Sequence, residues 1–118
     1  MKKVYFLGTC DTCKRIMKEV GVDDSFEKQD IKTESITSEQ LEQMQALAGS
    51  YEALFSRVAR KYKALGLKDK TLSEKDYKNY ILEEYTFLKR PVFIINGEIF
   101  IGNSKENIKE LKALLNNN

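Results

Sequence analysis

Two cysteines, Cys10 and Cys13, stand three residues apart in the run Gly8-Thr9-Cys10-Asp11-Thr12-Cys13-Lys14-Arg15. On a helix that spacing puts both on one face, roughly 5 to 6 Å apart and within reach of a disulfide. If the helix opens at the first of them, Cys10 meets free backbone N–H groups and the positive end of the helix dipole, and both favour thiolate over thiol. Cys10 then attacks and Cys13 resolves. Two reduced cysteines that merely lie close are the alternative, and no metal is expected, because two thiolates fill only half of a tetrahedral zinc site unless a second chain completes it. Lys14 and Arg15 place positive charge in the first turn, against the dipole, a choice that an anion or thiolate nearby explains.

Such a pair needs a strand to deliver its first cysteine and a helix to carry the second. Lys3 to Leu7 reads as that strand, stopped by Gly8-Thr9, and Ile16, Met17 and Val20 give the helix over Asp11 to Val20, with Gly21 as its cap. Ser25 to Asp30 reads as a second strand and Thr33 to Thr37 as a loop. From Ser38, Leu41, Met44, Leu47 and Ala48 recur at helical spacing until Gly49-Ser50. The spacing of Leu54, Phe55, Val58, Tyr62 and Leu65 predicts one helix over Tyr51 to Leu65, and Ser73 caps another running to about Glu84. Tyr77, Tyr80, Tyr85 and Phe87 read as packing residues. Val92 to Ile95 and Glu98 to Ile101 flank Asn96-Gly97, a strong hairpin signal. Lys105 to Leu115 closes the chain as a helix, followed by the polar tail Asn116-Asn117-Asn118. The order is β-α-β, a helical insertion, then β-β-α.

With 118 residues, 42% hydrophobic and 32% charged, the chain is long enough for one domain around a single core. Its 20 basic residues nearly balance 18 acidic ones, so net charge gives no reason to expect direct nucleic-acid binding. The absence of histidine excludes Ser-His-Asp and Cys-His catalysis and imidazole metal sites. No run approaches the roughly 20 apolar residues of a membrane helix, and Val4 to Leu7 is too short for a secretory core. The chain reads as a cytoplasmic monomer, and in that compartment a close cysteine pair is redox-active or metal-binding rather than a structural staple.

Three further features carry two readings each. Arg57, Arg60, Lys61, Lys63, Lys68 and Lys70 form a basic run that is either a solvated helix face or an anion or nucleic-acid contact surface, with Arg57 and Arg60 the anion-binding candidates. Gly49-Ser50 stops a helix or presents a partner-binding surface. Pro91, the only proline, sits before Val92, where it either fixes the strand's entry or forms a cis Arg90–Pro91 bond facing the cysteines.

With CDTC after a first strand, LFSRVARKYKALGL in the middle and FLKRPVFIINGEIFIGNSKENIKEL near the end, the chain resembles the arsenate reductase (ArsC) family, which includes Spx-type regulators. The resemblance covers nearly the whole chain. It implies an α/β, thioredoxin-like core over about 1–32 and 86–116 with a helical insertion over about 33–85. It puts the family's catalytic or sensing cysteine at Cys10 and its arginine before a cis-proline at Arg90 and Pro91. There the guanidinium would stabilise a thiolate or hold an oxyanion. The family's glutaredoxin-linked reductases hold arsenate with three arginines, and here only Arg90 maps cleanly. The middle position falls at Ser56, beside Arg57, and the last at Gly102. No bound cofactor is implied; glutathione with glutaredoxin, or thioredoxin, would be the electron donor and partner. The alternative is a Spx-like redox-sensing regulator that meets the C-terminal domain of the RNA polymerase α subunit near Gly49 and Ser50.

Overall fold

Val4 and Tyr5 are both buried, one on each face of the first strand, so that strand needs neighbours on both edges and cover on both sides. The computed structural model, which describes residues 1–116, supplies them. In chain order the elements are β1 (Lys2–Phe6), α1 (Asp11–Val20), β2 (Glu27–Asp30), α2 (Ser38–Ala48), α3 (Arg60–Ala64), α4 (Glu74–Glu83), β3 (Val92–Ile95), β4 (Glu98–Ile101) and α5 (Lys105–Asn116). Three short 3-10 turns, Glu52–Leu54, Leu67–Asp69 and Tyr85–Phe87, link the middle helices. Of the expected polar tail, residues 117 and 118 lie outside the described residues.

The strands form one sheet in the order β2-β1-β3-β4. β1 runs parallel to β2 and antiparallel to β3, with Val4 opposite Phe93, and β3 pairs antiparallel with β4, with Phe93 opposite Phe100. The β3–β4 turn uses Asn96 and Gly97 at φ 50° and 85°, the left-handed values that a two-residue hairpin requires and that this pair of residues tolerates. All four residues of β3 are buried, as an inner strand demands. This is the thioredoxin-like α/β architecture.

Two compact units divide the chain. The first comprises Met1–Glu34 and the chain from Arg90 onward. Its core joins Val4, Phe93 and Ile95 of the sheet to Ile16 and Val20 of α1, Ile108 and Leu111 of α5, and Phe26. Each such side chain contributes about 1.5–3 kcal/mol by leaving water. Phe26 meets Phe93 edge-on at 6.3 Å between ring centroids.

The second unit, Ser35–Lys89, is helical. Reciprocal capping boxes open two of its helices: Thr37 with Gln40 at α2, and Ser73 with Asp76 at α4. Phe55 lies at its aromatic centre, stacked on Phe87 at 5.0 Å and tilted against Tyr77 at 4.9 Å. Tyr77 and Phe87 are buried and Tyr80 and Tyr85 half-buried, so all four pack as the spacing predicts.

The single helix expected over Tyr51 to Leu65 does not form. Leu54 and Ser56 instead spend their backbone groups on a distant segment: Lys89 N–H donates to Leu54 O at 2.8 Å, and Ser56 N–H donates to Phe87 O at 2.7 Å. Phe55 and Leu88 thereby pair as an antiparallel bridge. A residue bonded across such a bridge cannot also serve an i to i−4 ladder. Helix therefore resumes only at Arg60, and Val58, counted on the apolar stripe, is 93% exposed.

Candidate active site

The chain leaves β1 through Leu7-Gly8-Thr9-Cys10, a turn closed by the Cys10 N–H donating to Leu7 O at 3.0 Å. A Cβ at Gly8 would run into the Asp30 carboxylate, so a side chain there must displace it. That carboxylate is fixed in turn by accepting from the Lys32 N–H at 3.0 Å. Cys10 is the N-cap of α1, with extended backbone (φ −97°, ψ 111°) and a carbonyl that accepts the first helical bond from the Lys14 N–H at 3.2 Å. Its sulfur thus occupies the place where a capping oxygen usually sits, facing amides that lack helical partners.

One helical turn separates two very different thiols. Cys10 is half-buried, and Cys13 is fully buried under α1. Partial burial opposes ionisation of Cys10, but the backbone N–H of Cys13, the Cys13 thiol, the Thr12 N–H and the Arg90 charge together outweigh it, holding the Cys10 thiol below its ordinary value. Burial pushes the Cys13 thiol up to about 11 even though the Leu7 backbone and Arg90 favour its thiolate, and a neighbouring Cys10 thiolate raises it further. Both cysteines are free thiols.

Arg90 brings its charge to both sulfurs from the segment entering β3. The Arg90–Pro91 peptide is cis. Pro91 O accepts from the Gly102 N–H at 2.9 Å, and Gly102 takes φ 88°, a left-handed value that favours glycine. The Asn107 side-chain amide donates to Gly102 O at 2.9 Å, locking the exit of β4 to α5. Cys10, Cys13, Arg90, Pro91 and Gly102 all belong to the first unit.

The remaining candidates lie in the second unit. Arg57 is already engaged: its guanidinium donates to Glu52 at 2.7 Å and to the Tyr77 hydroxyl at 3.1 Å, and it sits 5.8 Å from the centre of the Tyr77 ring. Those partners, the Glu52 hydrogen bond foremost, raise its pKa above the usual value. Arg60 is exposed at the start of α3. Gly49 caps α2 at φ 96°, its N–H donating to Gln45 O at 2.8 Å, and Ser50 Oγ accepts from the Ala53 N–H at 3.1 Å. Sequence reasoning took Gly8 only as a strand stop and passed over Leu7 and Asn107. The contact of Gly8 with Asp30, 22 residues on, leaves no local signal. Among the described residues no group of three or more Cys, Asp or Glu is placed to hold a metal, and no helix is long and apolar enough to cross a membrane.

Residues 5–111 match the ArsC family. The chain belongs to that family. No curated protein matches it. Among solved structures, an arsenate reductase from Vibrio cholerae is 20% identical, with 93% of this chain and 96% of that one covered and a TM-score of 0.75. An arsenate reductase (ArsC) related protein from Brucella melitensis is 20% identical over 92% of each chain, with a TM-score of 0.70. A protein from Staphylococcus aureus COL is 29% identical, with 93% and 97% covered and a TM-score of 0.71. At these identities the first two speak for the fold alone. Membership in the ArsC family supports a thiol redox protein, and this family member carries one thiol at a helix N-terminus with a second thiol one turn away.

Proposed function

We propose that this ArsC family protein is a thiol–disulfide oxidoreductase of the arsenate reductase type in which Cys10 is the nucleophile, Cys13 the resolving thiol and Arg90 the cation that favours the thiolate and receives an anionic substrate. The observation that carries this reading is the asymmetry of the pair: an accessible thiol favoured as thiolate and, against it, a fully buried thiol kept protonated. In the reaction, the Cys10 thiolate attacks the electrophilic sulfur of a disulfide and displaces one thiolate, leaving a mixed disulfide on Cys10. Cys13 loses its proton to solvent and attacks the Cys10 sulfur, expelling the second thiolate and forming the Cys10–Cys13 disulfide. The substrate gains two electrons and the pair loses two. With arsenate, Cys10 instead displaces a hydroxyl from arsenic(V), and attack by Cys13 on sulfur releases arsenic(III) with the same disulfide. Glutathione with glutaredoxin, or thioredoxin, restores the dithiol in the reducing cytoplasm.

The internal resolving thiol replaces an external one, and the engagement of Arg57 with Glu52 and Tyr77 leaves Arg90 as the arginine assigned to the anion. The test is steady-state arsenate reduction with glutathione and glutaredoxin, run beside a thioredoxin-coupled assay and a disulfide substrate, on wild type and Cys10→Ser. Turnover in wild type and none in Cys10→Ser is the expected result. No turnover in any assay, with a disulfide that still forms reversibly, overturns the enzyme reading.

A second reading follows from Gly49, which is exposed with nothing within 4 Å of where a side chain would start. An open glycine beside Ser50 gives a partner close access to backbone, as a Spx-like regulator requires for meeting the C-terminal domain of the polymerase α subunit. Binding to that domain, lost on Ser50→Arg, supports the regulator, and no binding removes it.

A further inference from the structure

A cleft of about 510 Å³ opens between α1 and α5, lined by Arg15 and Glu19 on one side and Asn103, Lys105, Ile108, Lys109 and Lys112 on the other. Four cations face one carboxylate there, a net of three positive charges in a chain whose whole net charge is +2. The segregation follows from helix geometry. At about 100° per residue, Lys105, Lys109 and Lys112 fall on one narrow stripe of α5, next to buried Ile108, while Glu106 and Glu110 fall on a different face. Lys112 and Arg15 each lie 3.6 Å from the Glu19 carboxylate. Lys105 and Lys109 have no carboxylate partner among the described residues, and like charges four apart on a helix repel one another.

We infer that the α1–α5 cleft is a docking surface for an acidic segment of a partner protein, its carboxylates meeting Arg15, Lys105, Lys109 and Lys112 and an apolar side chain resting over Ile108. A polypeptide fits better than nucleic acid. Glu19, central among the cations, repels an evenly charged phosphate backbone, whereas a peptide can place a neutral or apolar residue opposite it. Position adds a consequence. One end of the cleft, at Asn103 and Lys105, follows directly on Gly102, whose N–H is bonded to Pro91 O at 2.9 Å. The other wall is the helix that begins at Cys10, with Arg15 about 7–8 Å along its axis from that residue. A segment lying in the cleft therefore brings its owner alongside the thiol. That this owner is a thiol-exchange partner rests on the function proposed above; the docking itself does not.

The probe is a fluorescein-labelled peptide of repeated Glu-Leu-Glu units, compared with its Gln-Leu-Gln counterpart and with a labelled DNA duplex, by anisotropy at rising salt. The acidic peptide is expected to bind wild type and to weaken with salt. Lys109→Glu with Lys112→Glu should weaken it about tenfold or more, as reversing two charges at the edge of a site does. Lys63→Glu, on α3, should leave it unchanged, and Cys10→Ser should keep the affinity even if the thiol reading fails. Equal binding of the neutral peptide, no loss in the paired charge reversal, or preferential binding of the duplex through the same lysines overturns the proposal. Circular dichroism of the paired variant separates a lost contact from a lost fold.

Discussion

If Cys13 resolves the mixed disulfide on Cys10, the second chemical step must run through a thiolate that the fold disfavours. At about pH 7 a thiol with the ordinary value of 9.0 is ionised in about one molecule in a hundred, whereas one pushed up to about 11 is ionised in about one in ten thousand. Once Cys10 is held as a mixed disulfide its negative charge is gone, so that contribution to the Cys13 shift is relieved, while burial, the largest cause, stays. The titration that governs resolution should therefore lie between 9.0 and about 11. The assay is stopped-flow reaction with Ellman's reagent, in which the first released thionitrobenzoate reports attack by Cys10 and the second reports its displacement by Cys13. The first phase should level off below the pH at which an ordinary thiol does. The second should climb about tenfold per pH unit from neutrality until the pH approaches about 9, because each unit multiplies the thiolate tenfold below its pKa. Cys13→Ser should abolish the second phase and leave the first. A second phase that is flat between about pH 7 and pH 9 refutes the claim that burial governs the resolving thiol.

Arg90→Ala should raise the pKa of Cys10, and that of Cys13 with it, since the one guanidinium favours both thiolates; Arg90→Lys should restore part of the shift. Thiolate absorbance followed against pH reads this directly, and an unmoved Cys10 titration removes Arg90 from the thiolate's environment. Gly8→Ala should force the Asp30 carboxylate away from the Lys32 N–H and cost about 1 kcal/mol, the net worth of such a bond. In urea unfolding its effect should largely vanish in an Asp30→Ala background, where the obstructing carboxylate is already gone, and simple additivity of the two substitutions would sink the explanation.

What the sequence could reveal tracked how local the determining interactions are. The helix over Asp11 to Val20 and the hairpin at Asn96-Gly97 were legible because spacing and turn residues lie next to one another along the chain. The segment Tyr51 to Leu65 departed for the opposite reason: around Phe55 it is decided by hydrogen bonds to Phe87 and Lys89, and its helical apolar spacing is overridden by a partner more than 30 residues away. The cysteine pair announced itself as a motif, yet its asymmetry could not be read, since it depends on how deeply Cys13 is buried. The charged cleft was invisible, because Arg15 and Lys109 meet only once α1 and α5 share a sheet face.

The unequal ionisation of the two cysteines follows from a geometric constraint on a helix N-terminus. Only its first residues have unpartnered N–H groups, and the N-cap projects sideways from the axis, so Cys10 can be stabilised as thiolate while staying reachable. Three residues further, the same face of α1 is the one that Ile16 and Val20 press onto the sheet, so a side chain there is drawn under the helix and loses water. A CxxC pair at this junction is therefore unequal by construction, without special chemistry at either residue. Arg90 favours both thiolates; what it adds is a lowering of both ionisation costs, which leaves burial of Cys13 and the hydrogen bonds to Cys10 to set their order. It follows that a cysteine relocated from position 13 to an exposed position on α1 would lose the high pKa that burial imposes and, if the roles proposed above hold, would compete with Cys10 for substrate.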